Sequence, residues 1–158
     1  MCSFLWEKRG YMKQVTNLMI NEFKVMERGI DFMGYDVKRK ESLSFHHLII
    51  ARRNCARKHI PNAGYVRWNG SILVQDTSHK YLHAIERVDE EIFYLITSEM
   101  IDQNLKGRLD KENLLKIKEL LEYFEREHSG DITRKGKPLI KPEYIRDREI
   151  GIRKVLKW

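Results

Sequence analysis

His46 and His47 stand side by side in SFHHL, and His79 and His83 lie four residues apart in SHKYLHAIE. The chain has six histidines, and these two stretches hold four of them. Imidazole titrates near neutral pH, and its neutral ring nitrogen is the commonest protein ligand for a metal. On a helix, residues four apart share one face, so His79 and His83 can grip a single ion. Neighbours on a regular strand point to opposite faces. His46 and His47 can therefore serve one site only where a strand ends or bends, and then in different roles. Each buried imidazole also brings ring nitrogens that need partners. Residue types and spacing leave two readings open: core histidines scattered through the fold, or one metal site divided between two segments.

The elements that must position these side chains can be read from periodicity and punctuation. Met12, Val15, Leu18, Met19, Phe23 and Met26 recur at helical spacing, which predicts an amphipathic helix over residues 12–28 stopped by Gly29. GIDFMGYDVKRK has two glycines and no helical period and reads as loop or short extended structure. LSFHHLII is an apolar, strand-like run, and a polar loop punctuated by Pro61 and Gly64 follows it. GYVRWNGSILV reads as two short β pieces around Asn69-Gly70, the preferred pair for a tight hairpin turn. Asp76, Thr77 and Ser78 are candidate N-caps for the helix that carries His79 and His83. A further helix is predicted over about 89–104, stopped at Gly107. Another over about 110–128 is capped by Asp110, with Leu114, Ile117, Leu121 and Phe124 on one face. Residues 131–158 are basic and Pro-containing, with room for a short helix near the end.

Strand with His-His, loop, Asn, second strand, then a helix with His-x-x-x-His is an ordered set. Over Leu43 to about Glu86 it resembles the HNH endonuclease family, the ββα-metal or His-Me finger nucleases. The matching residues are His46, His47, Asn69, Leu73, His79 and His83. The resemblance implies an α+β fold: a ββα-metal finger, core about 43–86, embedded in flanking helices within a single domain over 1–130, with a basic C-terminal extension over 131–158. It implies that His46, His79 and His83 hold one divalent metal ion (Zn, Mn, Ni or Mg). His47 would be the general base that deprotonates the attacking water, and Asn69 would hold His47 in its reactive orientation. Three imidazoles leave coordination positions open, which marks a catalytic site. The expected activity is hydrolysis of phosphodiester bonds in DNA. The alternative is a non-catalytic nucleic-acid-binding module whose metal finger is only structural. Three features depart from the family pattern: the Asn69 to His79 spacing is one residue longer than the commonest, the His47 to Asn69 loop is long at 22 positions, and no CxxC pair flanks the finger.

Around this set, Arg52, Arg53, Arg57 and Lys58 follow the His pair, and Arg67 and Lys80 sit beside Asn69 and His79, as candidate phosphate contacts. Glu86, three residues beyond His83, is placed to orient a ligand imidazole. Trp68 reads as packing beneath the finger rather than stacking on a base. The balance of 30 Lys and Arg against 23 Asp and Glu, with pI ≈ 9.4, favours a polyanionic partner, DNA in this reading. Two cysteines, Cys2 and Cys55, make no disulfide framework or thiolate zinc ribbon. No apolar run approaches the roughly 20 residues of a membrane span. The first residues also lack the apolar core of a signal peptide, so the expected location is cytoplasmic and no membrane partner is expected.

Overall fold

A computed structural model describes residues 13–48 and 69–158 of this chain. Two strands and a helix form its centre. Strand β1, Leu43–His47, pairs antiparallel with β2, Gly70–Val74, in an unbroken register from Leu43 opposite Val74 to His47 opposite Gly70. The chain leaves β2 through a π-helical turn, Gln75–His79, that runs directly into helix α3, Lys80–Val88. This is an α+β arrangement with a two-stranded antiparallel sheet.

A two-stranded sheet is not stable alone and needs helices against its face. Residues 13–22 form α1, and Val25–Arg28 form a short α2. The expected single helix over 12–28 is thus broken. Lys24 takes a left-handed conformation, φ 55°, between the two segments. That break rotates the buried stripe. Val15, Met19, Phe23 and then Val25 face inward, while Leu18 and Met26 are exposed. Met12 of the predicted stripe, like residues 49–68, lies outside the described residues.

The stretch Ile30–Val37, expected as loop, is loop in form but core in position. Ile30, Phe32, Met33 and Tyr35 are fully buried. Buried backbone must find hydrogen-bond partners. Here Phe32 N–H donates to Ile72 O at 3.1 Å, Asp36 N–H to Asp147 O at 3.1 Å, and Gln103 Nε2 to Phe32 O at 3.0 Å.

Helices α4, Glu90–Lys106, and α5, Lys111–His128, pack on α3 and on each other. Their starts are as expected: Asp89 accepts from Ile92 N–H at 3.1 Å and Asp110 from Asn113 N–H at 3.3 Å. Such a cap contributes about 1 kcal/mol. The predicted α5 stripe of Leu114, Ile117, Leu121 and Phe124 is fully buried. Helix α6, Pro142–Val155, is longer than the short helix expected and buries Tyr144, Arg148, Ile152 and Val155. Gly151 seats it: a Cβ there would stand 1.9 Å from the Gly34 carbonyl oxygen, so only glycine lets α6 lie on the Ile30–Val37 loop. Arg148 makes a two-pronged ion pair with Glu125 of α5, and Tyr81 O–H of α3 donates to the same carboxylate at 2.8 Å. None of the helices among the described residues is long and apolar enough to cross a membrane.

Candidate metal centre

His46 lies near the end of β1 on the face that meets α3, and it is 3% exposed. His79 closes the π turn, and His83 follows one helical turn later in α3. The three imidazoles converge. Each offers one ring nitrogen, and these nitrogens all lie within 4.8 Å of one another. Ring centroids stand 5.0 Å apart for His46–His79, 5.1 Å for His46–His83 and 4.9 Å for His79–His83. The cluster is graded from buried at His46, through half-buried His79, to exposed His83, so it opens to solvent along one side.

The surrounding hydrogen bonds assign which nitrogen His79 presents. Ser44 Oγ donates to Leu73 O at 3.2 Å, leaving a lone pair toward His79 Nδ1 at 2.6 Å; Gln75 Oε1, also an acceptor, stands 3.1 Å from the same nitrogen. Two acceptors fix the proton on Nδ1 of His79 and leave the Nε2 lone pair for the cluster. Glu86 Oε1 lies 3.5 Å from Nδ1 of His83, with both side chains about half exposed. Nε2 of His46 is buried with no hydrogen-bond partner among the described residues. An orphaned acceptor of that kind costs roughly 1–3 kcal/mol in an otherwise satisfied interior. Bound to a cation it would be satisfied.

Electrostatics agree with a ligand role. Burial first, then His79, His83 and His47, holds the His46 imidazole well below its usual 6.5. Burial, then His83 and His47, pulls His79 down to about 4. Both rings are therefore neutral at physiological pH, the form that binds a metal. A set of three imidazoles with an open side fits a divalent transition ion.

His47, the last residue of β1, points away from His46 and meets Phe45 edge-on at 4.9 Å. It is half-buried, and its Nε2 is shielded from solvent. No bend is needed to give the two histidines different surroundings: the pairing is regular through His47, and the strand simply ends there. Asn69 is fully buried, and its carbonyl accepts from Leu48 N–H at 2.7 Å, which ties it across from the histidine pair.

The tight hairpin expected at Asn69-Gly70 does not form. Gly70 is already in the ladder opposite His47, and its φ is not positive. Its glycine has another cause. The Phe45 ring lies over it, and a Cβ would come within 2.2 Å of Phe45 Cζ. The N-caps expected at Asp76, Thr77 and Ser78 are also replaced. Helical geometry already begins at Gln75, so all three are inside the π turn, where no side chain caps the helix. A π turn accommodates one extra residue relative to an α turn.

Sequence reasoning missed the residue that holds this turn. Asp31 is 0% exposed. Its Oδ1 accepts from Met33 N–H at 2.9 Å and Tyr35 N–H at 3.0 Å. Its Oδ2 accepts from Val74 N–H at 3.0 Å and from the Ser78 hydroxyl, next to His79. Nothing in GIDFMGYDV announces such a role for one acid. Ser44 and Gln75 had a readable signal, two residues before His46 on a strand and four before His79 on a helix. Asn104 of α4 also reaches the site, donating from Nδ2 to Gly70 O at 2.7 Å.

Of the candidate phosphate contacts, Lys80 is exposed and lies 3.5 Å from Asp76 Oδ1. Arg52, Arg53, Arg57, Lys58 and Arg67, with Trp68 and both cysteines, lie outside the described residues. In comparisons with known proteins, no family model, no curated protein and no solved structure matches the chain.

Proposed function

We propose that this chain is a metal-dependent endonuclease of the HNH, ββα-metal type, hydrolysing phosphodiester bonds in DNA. The observation that carries the reading is the convergence of His46, His79 and His83 within 4.8 Å, with His47 adjoining them at the strand end. His46, His79 and His83 would hold one divalent ion of zinc, manganese, nickel or magnesium. When bound, the ion supplies positive charge to a non-bridging phosphate oxygen and to the leaving 3′ oxygen.

The remaining work falls to the chain. His47 accepts the proton of the attacking water as a neutral imidazole. Asn69 and Gly70, tied to Leu48 and Asn104, fix the strand opposite His47. Lys80 and the basic stretch Arg52, Arg53, Arg57, Lys58 and Arg67 contact flanking phosphates, and the products carry a 5′ phosphate. The exposed His83 side favours this reading over a purely structural metal finger, because structural sites close all coordination positions around the ion.

The test is nicking of supercoiled plasmid by the purified protein across a panel of divalent ions, beside His47→Ala. Metal-dependent nicking lost by about 10²-fold or more in His47→Ala, with metal content retained, is expected for loss of a general base. Absence of cutting on any DNA or RNA with every ion sinks the proposal.

A further inference from the structure

Residues 131–141 leave the domain between α5 and α6 as a small hairpin. It is held by the Ile132–Pro138 bridge and by Thr133 N–H donating to Lys137 O at 2.7 Å. Gly136 N–H donates to Thr133 O at 2.9 Å and closes the tip with Gly136 at φ 75°. Leu139 N–H to Asp131 O at 2.9 Å closes the base. The segment contains four cations, Arg134, Lys135, Lys137 and Lys141, and one acid, Asp131. That acid is engaged: Asp131 Oδ2 lies 2.9 Å from His128 Nδ1. Arg134, Lys135 and Lys137 are exposed and pair with no acid among the described residues. Ile132, 70% exposed, lies at the foot of the same ribbon.

The hairpin is attached beside the π turn and helix that carry two of the candidate ligands. Tyr81, midway between His79 and His83, stacks on Tyr144 at 4.6 Å and meets Phe124 at 6.0 Å. Phe124 in turn lies 4.5 Å from His128, where the hairpin begins.

From this ribbon we infer a second nucleic-acid contact, resting on the endonuclease reading: Arg134, Lys135 and Lys137 grip backbone phosphates of duplex DNA away from the bond that is cut. Cations held on a hydrogen-bonded ribbon lose less freedom on binding than cations on an open tail. A two-stranded ribbon is also narrow enough to enter a major groove, where Ile132 would meet apolar edges of the bases. The phosphate contacts are sequence-independent, so they add affinity and register without specifying a site.

The experiment compares the wild type with Arg134→Ala/Lys135→Ala/Lys137→Ala by fluorescence anisotropy on a short DNA duplex. A chelator prevents cutting, and salt is varied. All three side chains are exposed, so the variant keeps its circular dichroism and melting temperature. If each cation contacts one phosphate, the slope of log K against log salt flattens by about 2.7, and affinity at low salt falls by at least about tenfold. An unchanged slope and affinity overturns the inference, as does tighter binding of the wild type to phosphatidylserine vesicles than to the duplex. The two proposals fail separately. A wild type that cuts plasmid but whose triple variant binds duplex normally overturns the ribbon alone. A wild type that binds duplex through the ribbon but cuts nothing overturns the nuclease alone.

Discussion

Replacing Asp31 with asparagine exchanges one oxygen of a carboxylate that four donors share. Met33 N–H and Tyr35 N–H bond Oδ1, while Val74 N–H and the Ser78 hydroxyl bond Oδ2. Asparagine keeps an acceptor for the first pair and turns an amide N–H₂ toward Val74 N–H, leaving that buried donor unsatisfied at a cost of about 1–3 kcal/mol. An opposing effect comes from charge. Burial lifts the Asp31 carboxyl from 3.8 to about 6, and this outweighs the lowering by Ser78, Val74, Tyr35 and Met33. A folded-state value above the unfolded one makes the carboxyl's contribution fully present below pH 3.8 and lost as pH rises through about 6. The gap between 3.8 and about 6 is worth about 3 kcal/mol between the ends of that window. The asparagine does not titrate. Asp31→Asn is therefore less stable than wild type near pH 4 and close to it, or more stable, at pH 7. Urea melts of both proteins at several pH values measure the difference directly. A stability difference that stays constant, or that widens in favour of wild type as pH rises, refutes the reasoning. Because Ser78 and Val74 hold the π turn on this carboxylate, Asp31→Asn is also expected to weaken metal binding, by about tenfold, at a pH where the two folds are equally stable.

Three further outcomes are expected. Gly70→Ala places a Cβ against the Phe45 ring, which sits on His47; overpacking of this kind costs about 1–3 kcal/mol, and nicking should fall by more than the loss of folded protein measured by thermal melting accounts for. Ser44→Ala removes the acceptor 2.6 Å from His79 Nδ1 and should lower metal affinity by about 10-fold, read by competition with a chelating dye, while the urea midpoint moves little because Ser44 is only part-buried. Glu125→Ala leaves the Arg148 guanidinium, 4% exposed, buried without its carboxylate, at a cost of about 3–5 kcal/mol in urea unfolding; a cost below about 1 kcal/mol would show that solvent reaches Arg148.

Local chemistry made the helical frame legible. Asp89 and Asp110 cap their own helices, and the Leu114–Phe124 stripe follows from a 3.6-residue period, because caps and faces depend on neighbours a few positions away. The same locality made His79 and His83 readable as one helical pair. The places where local reading failed are those where a distant segment decided the outcome. Lys24 breaks the first helix and turns Val25 rather than Met26 inward. Asn69-Gly70 carries a hairpin-turn pattern, yet Gly70 is glycine because Phe45, far away in sequence, lies across it. GIDFMGYDV has no period to read, yet Asp31 within it collects donors from β2 and the π turn across 43 and 47 positions of chain.

What the amino-acid sequence determined by itself was thus the set of chemically able side chains and most of the helices that bear them. Only the tertiary structure decided that His46 joins His79 and His83, that Gln75–His79 form a π turn, and that the chain after Gly130 returns as a packed helix. Ligand geometry is a relation between segments. It is set by the burial of Ile72, Leu73, Tyr81 and Leu82 between β2, α3 and the helices around them, and by a glycine and a carboxylate whose reasons lie on other elements.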